Sequence, residues 1–188
     1  MLKIRGIDKN KTAGCKKGCV LALALFLTTL PCLAYMRTWA AVAIDTKKTD
    51  CQITVSVEGS DDQEDFDKMS IPVSLYKVAD VDATGAFTAV GVFSGIDFGR
   101  VNDKTTADEW MGMAEEAMSR LGIGEENGAE AVATIQIEKA AGSIGAAKGV
   151  FENLETGMYL VVPQATYNAD YSVKYVFAPY LTALPSSE

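Results

Sequence analysis

The chain has 188 residues, a formal net charge of −8 and no histidine. Without histidine, Ser-His-Asp and Cys-His catalytic sites are excluded and a zinc site is unsupported, because histidine is the commonest general base and metal ligand. The acidic balance argues against nucleic acid and anionic membranes as partners, since both are bound through basic surfaces.

The first 43 residues have the order of a secretory signal peptide. Basic residues precede an apolar run at residues 19–36, and residues 41–43 form an A-x-A cleavage site. We therefore predict a signal-peptide helix in residues 1–43 and cleavage between Ala43 and Ile44. The protein is expected to be secreted.

Two alternatives to a cleaved signal peptide stay open. The run at residues 19–36 approaches the length of a spanning helix, which allows an uncleaved membrane anchor. Cys32 allows a lipoprotein, although Pro31 stands where a small residue is required. Removal of the leader leaves residues 44–188 with ten basic and 24 acidic residues, a net charge of −14. That single predicted domain keeps only Cys51 and has no internal disulfide, but it is long enough to bury a core.

The first half of this domain reads as strands and turns. Alternating apolar and polar residues predict strands at residues 51–57 (CQITVSV) and 71–79 (IPVSLYKVA). The acidic segment 59–68 predicts a solvated loop; a calcium loop is the alternative, but the Gly and the distal Glu of an EF-hand are missing. The sequence DVDATG at residues 80–85 predicts a turn, and residues 86–90 a third strand.

A helix is predicted after a linker at residues 94–103. Thr106 and Glu109 have the spacing of a capping box, and Gly122 can end the helix. An apolar stripe that would pack on a sheet follows at helical spacing: Trp110, Met113, Ala117 and Leu121.

The second half returns to strands. Residues 132–138 alternate and predict a strand, residues 140–148 predict a loop, and residues 149–185 predict three or four consecutive strands. The predicted core contains the following residues: Ile53, Val55, Leu75, Phe87, Trp110, Leu121, Phe151, Leu154, Tyr159, Val161 and Phe177.

The sequence VFENLETGMYLVV, at residues 150–162, resembles the strand–turn–strand of SpaA-type, prealbumin-like (CnaB-like) domains of Gram-positive surface proteins. Over residues 51–185, the order of segments, including SLYKVAD at 74–80, is similar to the N-terminal domain of a sortase-assembled pilin. The resemblance implies a mainly β fold: a two-sheet, Ig-like or prealbumin-like β-sandwich with one inserted α-helix.

The chain departs from this family at the residues that form covalent bonds. The matching first strand has no Lys, and Pro163 stands where the family has a Glu, so the internal Lys–Asn isopeptide bond of such domains is not expected. The last residues, 184–188 (LPSSE), begin like an L-P-x-T-G sorting signal but lack its Thr and Gly. A pilin-motif Lys would lie beyond Glu188, so we expect a truncated product or the N-terminal piece of a longer surface protein.

The function implied by the resemblance is that of a secreted or cell-surface structural or adhesive module without catalysis or cofactor. Other pilin subunits or a sortase would be partners of a longer form. The alternative is a soluble extracellular carbohydrate- or protein-binding β-sandwich. Its contact residues would be exposed tyrosines, although strand packing also explains them: Tyr167, Tyr171, Tyr175 and Tyr180. A third possibility, an enzyme, is supported only by the many carboxylates of the sequence.

Overall fold

The computed structural model describes residues 43–58, 63–124, 128–141 and 146–185. The predictions for residues 1–42, which include the signal-peptide helix, lie outside them. The described elements in chain order are β1 Cys51–Val57, α1 Gln63–Phe66, β2 Ile71–Val81, β3 Phe87–Ala89, α2 Ala107–Ser119, β4 Ala133–Ile137, β5 Ala147–Leu154, β6 Gly157–Pro163, β7 Thr166–Tyr167, β8 Lys174–Tyr175 and β9 Tyr180–Leu184.

The main sheet has five antiparallel strands with β2 at its centre. Strand β6 pairs along one edge of β2, while β3 and β4 pair with opposite ends of the other edge. Strand β9 extends the sheet beyond β6. Strands β1 and β5 form a separate antiparallel pair, and β7 and β8 form a short hairpin.

The β1–β5 pair is joined to the main sheet at one corner. A bridge links Glu138, just after β4, to Lys148 in β5, and the Lys148 amide donates to the Glu138 carbonyl at 3.1 Å. The sheets therefore curl around a shared core, and the fold is mainly β and sandwich-like.

Two apolar clusters cover the two faces of the main sheet. The sequences IPVSLYKVADV of β2 and GMYLVVP of β6 are nearly continuous apolar runs, as expected for strands buried on both faces. One face packs against the β1–β5 pair, with Ile53, Val55, Val73, Leu75, Phe151 and Val161 in its cluster. The other face packs against α2, with Val78, Met113, Ala117, Leu121, Met158 and Leu160.

The local predictions for β1 and the helix are confirmed. Strand β1 has the predicted bounds. The Thr106 side chain accepts from the Glu109 amide, and the Glu109 carboxylate accepts from the Thr106 amide, so both halves of the capping box form. Of the predicted core residues, Phe87, Trp110 and Phe177 are only partly buried, although each packs against a core cluster. The remaining eight are buried.

Several predicted loops are wrong in part. The described portion of the acidic segment contains α1, because Phe66 turns inward and packs with its ring centroid 4.9 Å from that of Tyr175. The third strand is shorter than predicted. The segment after it forms two 3-10 turns, Gly91–Phe93 and Phe98–Arg100, which bury Phe93 and Phe98.

The predictions at the start and end of the C-terminal segment also need correction. Strand β5 begins inside the loop predicted at residues 140–148, since Lys148 pairs with both Ser56 and Glu138. The stretch 149–185 contains five strands or parts of strands, two of which are only two residues long.

Candidate functional site

The four candidate tyrosines lie on two different surfaces. Tyr167 and Tyr171 stand together beside the β7–β8 hairpin, whereas Tyr175 and Tyr180 line a groove next to β1. The tyrosines therefore do not form one continuous aromatic platform.

The first surface, which we call the tyrosine hairpin, comprises residues 166–175. The ring centroids of Tyr167 and Tyr171 are 6.0 Å apart with an interplanar angle of 35°. The Lys174 ammonium lies 5.9 Å from the Tyr167 centroid, within cation–π range. The two side chains are 47% and 78% exposed, so both rings can meet a ligand.

Asn168 holds the turn of the tyrosine hairpin. It is buried, its backbone amide donates to the Val173 carbonyl at 3.0 Å, and its side-chain oxygen accepts from the Val173 amide at 3.0 Å. Its side-chain nitrogen donates to Ser172 Oγ at 3.1 Å and to Asp65 Oδ2 at 3.2 Å. These bonds tie the turn both to itself and to the segment after β1.

The same turn carries a charged group. The Asp170 carboxylate accepts from the Ser172 hydroxyl at 2.7 Å and from the Ser172 amide at 3.2 Å. These hydrogen bonds lower the pKa of Asp170, so its carboxylate is charged at neutral pH.

Tyr171 has an unusual backbone conformation. Its φ is 61°, in the left-handed region that glycine and asparagine tolerate and that aromatic residues rarely adopt. Its amide donates to the Asn168 carbonyl at 3.0 Å. An exposed aromatic side chain is thus held in a strained conformation at the tip of a turn, a combination that occurs most often at functional sites.

An open pocket of 310 Å³ adjoins these rings. This volume is at the lower end of the range for small-ligand sites. Its lining combines two aromatic rings with polar and charged groups: Lys68, Met69, Ser70, Thr166, Tyr167, Asn168, Ala169 and Tyr171.

The second surface, which we call the seam groove, has a volume of 600 Å³. The end of β1, residues 55–58, lines one part of it, and residues 175–178 and Tyr180 line another. Tyr175 is half-buried here, and its hydroxyl donates to Asp65 Oδ2 at 2.8 Å. Tyr180 is 40% exposed, and partial burial raises the pKa of its phenol.

A charged cluster lies near the turn between β5 and β6. Lys77 Nζ is 2.8 Å from both Asp80 Oδ1 and Glu155 Oε2, and the Tyr159 hydroxyl donates to the Glu155 carbonyl at 2.8 Å. The Lys77 side chain is 21% exposed. These pairs fasten β2 to the β5–β6 turn.

No metal centre or membrane-spanning helix emerges from the described ranges. Within residues 43–58, 63–124, 128–141 and 146–185, no three His, Cys, Asp or Glu side chains converge as metal ligands would. In the same part of the chain, no helix has both the length and the apolar character needed to cross a bilayer.

Ala43 and Ile44, the predicted cleavage junction, lie at the start of the described residues. Ala43 is exposed, and the Ile44 amide donates to the Ala83 carbonyl at 3.1 Å.

Comparisons with protein families, curated proteins and solved structures return no match for this chain.

Sequence reasoning missed two features of these surfaces. The sequence indicates the strained turn at Tyr171 only weakly, through the neighbouring residues Asn168 and Asp170, which are typical of turns. Nothing in the sequence indicates the seam groove. The alternation in β1 shows which side chains face the core but not which strand edge stays unpaired.

Proposed function

We propose that the protein is a secreted or cell-surface structural and adhesive module that performs no catalysis. Its sandwich would be prealbumin-like, of the kind found in N-terminal domains of sortase-assembled pilins. The segments that carry this resemblance contribute residues to the core: SLYKVAD belongs to β2, and VFENLETGMYLVV spans part of β5 and most of β6. Their position supports the proposal, because family signatures of this kind reflect core packing.

The observation that carries the adhesive role is Tyr171. The turn leaves this residue 78% exposed, with its ring next to that of Tyr167 and beside an open pocket, despite the left-handed backbone. Paired tyrosines offer large, rigid contact area with little rotamer entropy to lose. Such a surface suits the apolar face of a sugar ring or a short extended peptide.

The test is binding of the purified chain to an array of immobilised glycans and host surface proteins. We expect at least one ligand to be bound, and Tyr171→Ala to weaken that binding by about tenfold or more. Tyr171→Phe keeps the ring and should keep most of the binding. Ile123→Ala is the control and should bind like the original chain, because Ile123 is exposed and lines neither the pocket beside the tyrosine hairpin nor the seam groove.

The adhesive proposal would be contradicted in two ways. One is the absence of any ligand on the array. The other is equal binding by the original chain and by Tyr171→Ala, provided that circular dichroism shows both to be folded.

A soluble extracellular carbohydrate- or protein-binding module is the second candidate, and the same Tyr167–Tyr171 pair favours it. The two candidates differ in where the protein resides. After expression of the longer form in a Gram-positive host that has a sortase, a structural subunit is expected in the cell-wall fraction, in covalent polymers. A soluble module is expected in the culture medium.

A further inference from the structure

The outer edge of β1 presents backbone groups that its partner strand does not use. In an antiparallel pair, opposite residues alternate between those that exchange two hydrogen bonds and those that exchange none. Ser56 lies opposite Lys148, and the Lys148 amide donates away from β1, to the Glu138 carbonyl. Ser56 therefore belongs to a pair without mutual hydrogen bonds, so its amide and carbonyl point away from β5.

This outward edge has no strand next to it in the described ranges. Strand β1 pairs with β5 alone there, and Ser56 is exposed. By the same alternation Thr54, two residues earlier and opposite Val150, also directs its amide and carbonyl outward. Two donors and two acceptors are thus arranged along one edge, as they would be for an added strand.

The seam groove runs beside this edge and is mostly apolar. Val55 and Val57 line it from β1, and Val176 lines it at 75% exposure. Buried Phe66 and Ile137 lie at its base. An unpaired strand edge next to an apolar groove is the arrangement by which sheets bind extended peptides: the edge supplies hydrogen bonds, and the groove receives alternate side chains.

We propose that an extended segment of a basic partner protein docks in the seam groove by adding a strand to β1. Charge selects this occupant over a second copy of the chain. Glu58 is the one charged residue among the described residues that line the groove. Residues 44–188 carry a net charge of −14, so two copies repel each other while a basic segment is attracted. The segment would alternate apolar and polar residues and place Lys or Arg beside Glu58.

This docking surface is separate from the tyrosine hairpin and does not depend on the proposed adhesive role. Of the tyrosines in question, only Tyr175 and Tyr180 line the groove. The two proposals can therefore fail independently.

The test begins with selection of binders from a displayed library of random decapeptides on the purified chain, and the consensus peptide is afterwards compared on Ser56→Pro. Proline removes the outward amide, and an edge strand tolerates it because that amide makes no ladder bond. We expect enriched peptides that alternate apolar and polar residues and contain Lys or Arg. A synthetic consensus peptide should bind Ser56→Pro about tenfold more weakly than the original chain.

Three controls separate strand addition from other modes of binding. Ser56→Ala keeps the amide and should bind like the original chain. Glu58→Gln should weaken the consensus peptide but not a version in which its basic residue is Gln. Tyr171→Ala should have no effect. In the complex, hydrogen exchange at the Ser56 amide should slow, which a fold defect in Ser56→Pro cannot imitate.

The proposal is overturned by equal binding of the peptide to the original chain and to Ser56→Pro, by enriched peptides without basic residues, or by the absence of enrichment. It is also overturned if the chain dimerises through this edge, seen as concentration-dependent association that Ser56→Pro abolishes. That result would make a second copy the occupant.

Discussion

Gly149 in β5 lies so close to Ile135 in β4 that a Cβ atom on Gly149 would be 2.7 Å from Ile135 Cδ1 and 3.0 Å from the Gln136 carbonyl oxygen. One residue earlier, Lys148 forms the bridge to Glu138 that joins the β1–β5 pair to the main sheet. The missing side chain of Gly149 therefore lets β5 lie close against β4, next to the bridge that joins the two sheets.

Gly149→Ala should destabilise the fold. The added methyl group meets a backbone oxygen that cannot move without shifting β4, and overpacking of this kind costs about 1–3 kcal/mol. The expected result is a lower urea midpoint with an unchanged slope. Gly112→Ala is the matched control. Gly112 lies in α2, and no atom stands within 4 Å of a Cβ added there. This variant should therefore gain up to about 1 kcal/mol in free energy of unfolding from the higher helix propensity of alanine. Equal stability of Gly149→Ala and the original chain would refute this account of the corner.

The parts of the fold that could be predicted from the sequence are those determined by local patterns. The two-residue alternation of CQITVSV is sufficient to locate β1, and the Thr106–Glu109 spacing is sufficient to locate the start of α2. Both depend on residues within one element. The burial of Phe66 could not be predicted, because it depends on Tyr175, more than a hundred residues away.

The tyrosine surface shows the same limit. In one continuous strand, residues four apart share a face, so Tyr167, Tyr171 and Tyr175 would stand in a row. The turn held by Asn168 reverses the chain between them, and Tyr175 ends opposite Thr166. Tyr167 and Tyr171 meet across this turn, whereas the Tyr175 ring packs against Phe66. Strand periodicity stops applying where a turn begins.

Tyr171→Asn should stabilise the protein while removing ligand binding. Asparagine tolerates the left-handed conformation that Tyr171 adopts at φ 61°, so relief of strain should raise the free energy of unfolding by up to about 1 kcal/mol. Thermal unfolding and array binding measure the two effects. Tyr167→Asn is the control, because Tyr167 lies in β7 and carries no such strain. It should lose binding without gaining stability, and a Tyr171→Asn variant less stable than the original chain would count against stored strain.

The secreted chain should begin at Ile44. The Ile44 nitrogen already donates to the Ala83 carbonyl, and after cleavage the α-ammonium at the same position can keep this bond. Mass spectrometry of the secreted protein measures the N-terminus. Ala43→Leu places a large residue at the cleavage site and should leave the leader attached. A chain that still begins at Met1 and is found in the membrane fraction would support the membrane-anchor alternative.

Alkaline pH should loosen the charged cluster between β2 and the β5–β6 turn. Burial opposes the charge on Lys77, but the hydrogen bonds to Asp80 and Glu155 outweigh it and raise the pKa of Lys77 above 10.5. Because the folded pKa exceeds the unfolded one, this stabilisation is complete below pH 10.5 and is lost as the pH rises through the folded pKa.

Burial also raises the pKa of Tyr159 above 10.0, so ionisation of its phenol likewise lowers the stability of the fold as the pH rises. Urea unfolding from pH 8 to 12 should show stability falling above about pH 10. Lys77→Met should reduce the free energy of unfolding at pH 8 and make its decrease with rising pH shallower. Tyr159→Phe should remove the part of that decrease that comes from ionisation of the phenol. A Lys77→Met variant with the same stability profile as the original chain would show that the cluster contributes nothing to the fold.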